Sequence, residues 1–248
     1  MPERSIQELE NLFKNYNSNS KWNFFNKKIA NSYFLQLKTI AKLFNKTTEN
    51  ISILELGIGS GICAVNLKNL GFSVTTFDGQ KENNPDIIGD IKDFCGKDYV
   101  NKFDLICSFQ TLEHIPYKDA LKVLEEFKKA KPKYIFFSVP HHIKTFKLSL
   151  ELPKIKKTKN SFFNKLIWRW NYGFSLTLKF KFRKAKNRVY KKGVHEKFPY
   201  AIHHWELGRN KLSINHFIKD LKKLGFTINS HFPNEEYHYH HFFLLETV

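Results

Sequence analysis

The chain has 248 residues, of which 42% are hydrophobic and 16% aromatic, so it is long enough to bury a substantial core. It contains no run of about 18 apolar residues and no apolar stretch near its first residue, which argues against a membrane-spanning helix and a signal peptide. Its three cysteines form no CxxC pair, which predicts buried free thiols in a reducing cytosol.

The first half of the chain alternates between two periodicities. Residues 5–16 and 26–45 carry apolar side chains at helical spacing and are predicted to form two helices. From residue 51 onward, short apolar runs predict strands at 51–56, 72–77, 103–109 and 134–139, and amphipathic runs predict helices at 62–70 and 117–131. This alternation is typical of an α/β fold with a doubly wound parallel sheet.

The C-terminal part returns to the same pattern after an irregular stretch. It predicts a helix at 213–224, then strands at 225–231 and 241–246 around a turn at 233–236, an antiparallel hairpin at the end of the sheet. We therefore expect a single domain with N-terminal helices (1–50), a core (51–140), a basic insertion or lid (141–205) and a C-terminal helix and hairpin (206–248).

A glycine-rich turn follows the first predicted strand, where ligands bind in doubly wound sheets. It reads Glu55-Leu56-Gly57-Ile58-Gly59-Ser60-Gly61, so its glycines alternate as G-x-G-x-G. This differs from the G-x-G-x-x-G of dinucleotide sites, and no Lys-Ser/Thr pair follows as in a P-loop. The acid at its start suits a cationic ligand better than a pyrophosphate.

Residues 51–140 resemble the class I S-adenosylmethionine-dependent methyltransferases, of the group that includes small-molecule O-methyltransferases. The resemblance implies a Rossmann-like seven-stranded sheet whose last strand is antiparallel, and S-adenosylmethionine as the cofactor. It places near the methionine moiety the acid and glycines of the first motif, Glu55, Gly57, Gly59 and Gly61.

The same resemblance assigns the rest of the cofactor. Asp78 is implied to accept hydrogen bonds from the ribose hydroxyls, and Asp90 with Ile91 to contact the adenine. The segment 109–115, which includes Gln110, is implied to line the cofactor and acceptor pockets. The simpler alternatives are a turn aspartate for Asp78 and a helix-cap partner for Glu55, and Asp86 and Asp93 compete with Asp90.

Methyl transfer to oxygen is an in-line displacement that mainly requires alignment of the two reactants, and an alcohol acceptor benefits from a general base. Histidines follow several predicted strands, and His114 and His141 are the favoured candidates for this base, ahead of His142 and His204. Glu113 and Glu206 beside histidines raise the alternative of a metal site. Because no HxxxH set lies on one helix and adjacent histidines on a strand point opposite ways, no metal ligands are predicted.

The formal net charge of +18 is concentrated in one segment. Residues 144–198 hold 17 Lys and Arg against two acids, whereas the rest of the chain has 24 against 21. Three ligands fit such a segment: a phosphorylated or nucleotide-linked acceptor, anionic lipid headgroups, or a nucleic acid. A solvated lysine-rich face is the fourth interpretation. The absence of an Asn-Pro-Pro-Tyr-type motif argues against nucleic acid.

A second, looser resemblance covers His203-His204-Trp205-Glu206-Leu207-Gly208 and the C-terminal hairpin. This part is similar to methyltransferases encoded with bacterial surface-polysaccharide genes, which implies a sugar or sugar phosphate acceptor. We therefore expect a cytoplasmic enzyme that methylates an anionic small molecule. The alternatives are an enzyme at the inner membrane face that acts on a lipid-linked or quinone acceptor, and a cofactor-binding protein without catalysis.

Overall fold

A computed structural model of the chain describes residues 26–45, 47–151, 175–182 and 202–247, with the backbone alone at 144–151 and 175–182. The helix predicted at 5–16 lies outside the described residues. Residues 162–170 also carry apolar side chains at helical spacing, which predicts a helical face, and they too lie outside the described residues. The chain divides into one compact unit of residues 1–142 and 186–248 and a second of residues 143–185.

The elements agree closely with the predicted pattern. The helices are α1 (Lys27–Leu43), α2 (Ile62–Asn69), α3 (Tyr117–Lys129) and α4 (Ile214–Lys223). The strands are β1 (Ser52–Leu56), β2 (Ser73–Asp78), β3 (Ile87–Ile88), β4 (Leu105–Phe109), β5 (Tyr134–Pro140), β6 (Lys144–Glu151), β7 (Ser175–Phe182), β8 (Thr227–Pro233) and β9 (His240–Glu246).

Seven of these strands form one mixed sheet in the order β3-β2-β1-β4-β5-β9-β8. The neighbours from β3 to β5 are parallel, whereas β9 runs antiparallel to both β5 and β8. The predicted seven-stranded Rossmann-like sheet with an antiparallel last strand is therefore confirmed.

Alternating side chains of the central strands pack on opposite faces of the sheet. Leu54 joins the core beneath α3 and α4, and its neighbour Ile53 joins the core beneath α1 and α2. Successive side chains of a strand point to opposite faces, and helices cover both faces of this sheet. Nearly every residue of the central strands is therefore buried, which is why these strands are continuous apolar runs. The chain leaves β1 toward β2 on one side and reaches β4 on the other, so the turn after β1 lies at a topological switch point.

The C-terminal hairpin turns at the carboxyl edge of the parallel strands. Pro140, the last residue of β5, pairs with His240, and Pro233 pairs with His241. The residues between β8 and β9 consequently lie at the same edge of the sheet as the ends of β4 and β5. β8 ends two residues beyond its predicted end, and its pairing with β9 contains a register shift between Ile228 and Ser230.

The second unit contains an antiparallel pair in which Lys144 faces Phe182 and Glu151 faces Ser175. Residues 175–182 alternate between apolar and polar side chains, a pattern that predicts a strand, and this strand is observed as β7; its partner β6 was not predicted. Within the part of the chain that the structure describes, no helix has the length and apolarity needed to cross a membrane.

Candidate active site

The turn after β1 has a left-handed backbone at each of its three glycines, with φ of +74° at Gly57, +51° at Gly59 and +71° at Gly61. A side chain at Gly57 would place its Cβ 2.2 Å from Thr111 Oγ1, so this position is closed by the end of β4. Among the described residues, nothing lies within 4 Å of a Cβ built at Gly59 or Gly61. The turn is therefore in contact with Thr111 on one side, whereas its backbone at Gly59 and Gly61 is accessible on the other, open side. This shape allows a ligand to approach the backbone closely.

Asp78 ends β2 beside this turn and is 8% exposed. Its carboxylate accepts a hydrogen bond from the Gly59 backbone nitrogen at 3.4 Å and another from the Gln80 nitrogen at 2.7 Å. The bond to Gln80 is that of a turn aspartate, and the bond to Gly59 places the carboxylate at the open side of the glycine turn. Asp78 is therefore both a turn aspartate and a carboxylate at the open side of the glycine turn.

Glu55 lies beneath the turn rather than on its open side. It is 2% exposed, and burial raises its pKa to about 8 despite hydrogen bonds from the Cys63 thiol and the Ala64 backbone. These contacts at the N-terminus of α2 are those of a helix-cap partner. Because the carboxyl is mostly protonated at neutral pH, it gives the turn little negative charge. The negative charge of Glu55 therefore does not support the preference for a cationic ligand that the sequence suggested.

The residues predicted near the adenine lie after β3. Asp90 caps a short 3-10 helix by accepting from the Lys92 nitrogen at 2.9 Å, and Ile91 is 8% exposed. The competing Asp86 is bound to the backbone nitrogen and hydroxyl of Thr76 at 2.9 and 2.8 Å. The hydrogen bond from the Thr76 hydroxyl holds the pKa of Asp86 below its usual value. The carboxylate of Asp86 is therefore bound to β2 of the sheet.

The end of β4 meets the glycine turn. Gln110 has a positive φ of +54° and donates to the Ser138 hydroxyl at 3.2 Å. Thr111 Oγ1 lies 3.4 Å from the Gly57 carbonyl oxygen and donates to it. The segment after β4, predicted to line both pockets, is therefore in contact with the turn after β1.

Glu113 and His114 follow directly and meet a segment almost ninety residues further along the chain. Glu113 is fully buried, and within the described part of the chain neither carboxylate oxygen has a hydrogen-bond partner. The His203 Nε2 atom lies 4.0 Å from Glu113 Oε1, and the His114 and His203 ring centroids are 4.9 Å apart. Burial raises the pKa of Glu113 to about 8 and lowers that of His114 to about 4.

Glu206 holds the second segment in place. Its Oε1 accepts from the Tyr239 hydroxyl at 2.6 Å and lies 3.0 Å from His203 Nδ1, and its Oε2 accepts from Arg209 Nε. Arg209 also donates to His142 Nδ1 at 3.0 Å. The sequence analysis missed Tyr239 and Arg209. Tyr239 lies in the turn of the C-terminal hairpin and Arg209 directly follows the segment 203–208, so each lies beside residues already singled out.

His141 points to a different set of partners from His142, as expected for neighbours at a strand end. Its Nδ1 lies 3.1 Å from His241 Nδ1, and His241 Nε2 lies 3.1 Å from His231 Nδ1. His141 is half-buried, His241 is buried and His231 is exposed. The two favoured base candidates therefore belong to different clusters, His114 with His203 and His141 with a row of histidines that reaches the surface.

The amino-acid sequence matches the family of the methyltransferase domain over residues 26–177, so the chain belongs to that family. This match runs from α1 to β7 and confirms the predicted class of enzyme. A search of the curated proteins found no significant match.

Solved structures of methyltransferases match the chain at low sequence identity. The magnesium protoporphyrin IX methyltransferase of Synechocystis PCC 6803, solved with bound SAH, is 13% identical with a TM-score of 0.52, and the match covers 96% of this chain and all of that one. An S-adenosylmethionine-dependent methyltransferase from Clostridium acetobutylicum ATCC 824 is 12% identical with a TM-score of 0.48, over 85% of this chain and 89% of that one. The small RNA methyltransferase HEN1 is 11% identical with a TM-score of 0.48 over 86% of this chain, which spans 25% of HEN1.

Proposed function

We propose that the chain transfers the methyl group of S-adenosylmethionine to an oxygen of an anionic small molecule, a sugar, sugar phosphate or other phosphorylated precursor of a surface polysaccharide. The observation that carries the first half is the pairing of an open glycine turn with the Asp78 carboxylate. The second half rests on the basic segment 144–198 and on the looser resemblance of residues 203–208.

The residues of the turn fit a nucleoside cofactor. Gly59 and Gly61 leave the backbone accessible on the open side, and Asp78 carries two oxygens with lone pairs to spare beyond its two backbone bonds. A ribose offers two adjacent hydroxyl donors that match such a carboxylate. When bound, S-adenosylmethionine supplies an activated methyl group on a good leaving group, so the protein has to align and desolvate the reactants.

His141 is the residue we assign to the acceptor proton. It lies at the carboxyl end of β5, on the same edge as the glycine turn, and it is half-buried. The row from His141 through His241 to His231 joins this position to an exposed imidazole by contacts of 3.1 Å. A proton taken from an acceptor hydroxyl can leave along this row, because each imidazole accepts at one nitrogen and donates at the other.

The charge balance favours an anionic acceptor. Phosphate oxygens bind Lys and Arg through charge-assisted hydrogen bonds, and 17 of the 41 basic residues fall in the segment 144–198. Cys63 and Cys107 are buried free thiols, in line with the reducing cytoplasm that we propose as the location.

A methyl-transfer assay with isotopically labelled cofactor tests this function. Acceptor pools would comprise nucleotide-activated sugars, simple sugar phosphates, their dephosphorylated counterparts, lipid-linked sugars, quinones and RNA. We expect label in a phosphorylated sugar pool, little label in its dephosphorylated counterpart, and transfer reduced by about a hundredfold or more with His141→Ala. Preferential labelling of RNA, a quinone or a neutral sugar would contradict the proposed acceptor while leaving the methyltransferase intact.

Vesicle flotation separates the alternative location. We expect the chain to remain in the unbound fraction with vesicles that contain phosphatidylglycerol at physiological salt. Salt-sensitive flotation with these vesicles, and not with neutral ones, would instead support attachment of the basic segment to the membrane.

A further inference from the structure

Three side chains from two distant segments form a cluster with the composition of a metal site. Glu113 and His114 follow β4, His203 precedes α4, and each offers a ligand atom within 4.8 Å of the others. Neither segment shows a metal-binding motif alone. We propose that Glu113, His114 and His203 bind a divalent transition-metal ion, with Zn²⁺ as the ion best suited to two imidazoles and one carboxylate.

The burial of Glu113 is the observation that points to a cation. Its side chain is fully buried, and no described residue donates a hydrogen bond to either oxygen. A buried carboxylate without a partner is costly, so such a group in a folded protein is paired, protonated or bound to a metal, and the two imidazoles beside Glu113 favour the metal. The His114 Nδ1 atom is likewise shielded from solvent and has no partner among the described residues. A metal ion would satisfy both groups.

His203 is already oriented for coordination. Its Nδ1 lies 3.0 Å from Glu206 Oε1, and because a carboxylate only accepts, this nitrogen carries the proton. The lone pair then lies on Nε2, the atom that faces Glu113 at 4.0 Å. A histidine that donates its second nitrogen to a carboxylate is the usual arrangement around a protein-bound metal. Arg209 and Tyr239 in turn hold the carboxylate of Glu206.

Hydrogen bonds join the segment after β4 to the segment that contains His203, so the three side chains lie close together before any ion binds. The backbone nitrogen of His204 donates to the Glu113 carbonyl at 2.8 Å, and Trp205 Nε1 donates to the Leu112 carbonyl at 3.2 Å. Tetrahedral ligand bonds of about 2.1 Å place two ligand atoms about 3.4 Å apart, so a pair at the 4.8 Å limit has to close by about 1.4 Å when the ion binds.

Three protein ligands leave at least one coordination position open, as in catalytic rather than structural sites. An oxygen of the acceptor can occupy that position, where the charge of the ion favours the deprotonated form of a hydroxyl. This role toward the acceptor rests on the proposed function, whereas the binding of the ion does not.

Calorimetric titration of the chelator-treated full chain with Zn²⁺ tests the site, and the visible absorption of Co²⁺ reports the ligands. We expect one ion per chain for the wild type and for the control His216→Ala, which removes an exposed histidine on α4. Glu113→Gln and His203→Ala should weaken Zn²⁺ binding by about a hundredfold or more and lose the Co²⁺ spectrum. Glu113→Gln keeps the shape of the side chain and serves as the decisive variant if His203→Ala does not fold.

Circular dichroism and S-adenosylmethionine binding accompany each titration. Wild-type chain that binds no stoichiometric Zn²⁺, or variants that bind it as tightly as the wild type, would overturn the metal site. If such a chain still binds S-adenosylmethionine, the proposed function stands without the metal. If the chain binds Zn²⁺ but not S-adenosylmethionine, the metal site stands and the proposed function is contradicted.

Discussion

The carboxylate of Asp78 and the backbone nitrogen of Gly59 meet at 3.4 Å although 19 residues separate them in the chain. Parallel pairing of β1 and β2 sets Leu56 opposite Phe77, so the two strands end side by side. A glycine of the first motif and the acid that ends the following strand thereby form one surface. This contact is the structural basis for placing the cofactor there.

The glycines of the turn should respond differently to substitution. Gly57→Ala brings a Cβ to 2.2 Å from Thr111 at a φ of +74°, so it should lower the free energy of unfolding by about 3 kcal/mol or more. Gly59→Ala meets no neighbour within 4 Å in the described residues and should cost about 1–2 kcal/mol from its left-handed backbone alone. Its methyl group should nevertheless weaken S-adenosylmethionine binding.

Urea denaturation and calorimetry of both variants measure these two effects. Thr111→Ala in the Gly57→Ala background is the matched control, because it removes the atoms of closest approach and should recover part of the stability. Equal destabilisation by the two glycine substitutions would show that the turn is not closed on one side only.

The buried carboxyl of Glu55 should make stability depend on pH. Its pKa is about 8 in the folded chain against an ordinary value of 4.5, so between these values the folded state binds more protons than the unfolded state. The free energy of unfolding should therefore fall as the pH rises from about 5 to about 8. Glu55→Gln should fall less over this range, by an amount on the order of a few kcal/mol. Parallel curves for the two proteins would contradict the assignment.

The row of histidines predicts graded effects on turnover. His141→Ala should lower kcat by about 10²–10⁴-fold with little change in the KM for S-adenosylmethionine, since a general base acts in the chemical step. His241→Ala should lower kcat less, because it removes the next imidazole and leaves the base. His216→Ala, on the outside of α4, is the control. A larger loss with His241→Ala than with His141→Ala would exclude His141 as the base.

The metal site predicts an effect of a residue that does not touch the ion. Tyr239→Phe removes the 2.6 Å hydrogen bond to Glu206, which orients His203. We expect Zn²⁺ binding to weaken by about tenfold, as is typical when an outer hydrogen-bond partner of a ligand is lost. Tyr134→Phe, at a ring packed against Phe44, is the matched control. The same hydroxyl lies 3.0 Å from His203 Nδ1, so unchanged affinity in Tyr239→Phe would show that neither of its contacts orients His203 for the ion.

Periodicity sufficed to predict most of the fold, because buried strands and amphipathic helices of this chain differ in their spacing of apolar residues. β3 was not predicted, since its two residues, Ile87 and Ile88, are too few to show a period. β6 was not predicted either, and its assignment depends on pairing with β7.

The candidate site was predicted in part. The glycine turn and Asp78 follow strand ends, a position that the sequence reveals directly. The meeting of Glu113 with His203 depends on how a distant segment folds back onto β4, which no local pattern encodes. The protonation of Glu55 was also beyond the sequence, because burial rather than residue type sets its pKa.

The most direct test of the cofactor site is a calorimetric titration of the full chain with S-adenosylmethionine. We expect the wild type and Asp119→Asn, a control on α3, to bind one molecule per chain. Asp78→Asn should bind about tenfold or more weakly, the loss expected for hydrogen bonds to a charged acceptor, while circular dichroism shows an unchanged fold. No binding by the wild type, or equal affinity in Asp78→Asn, would contradict the assignment of this turn to the methyl donor.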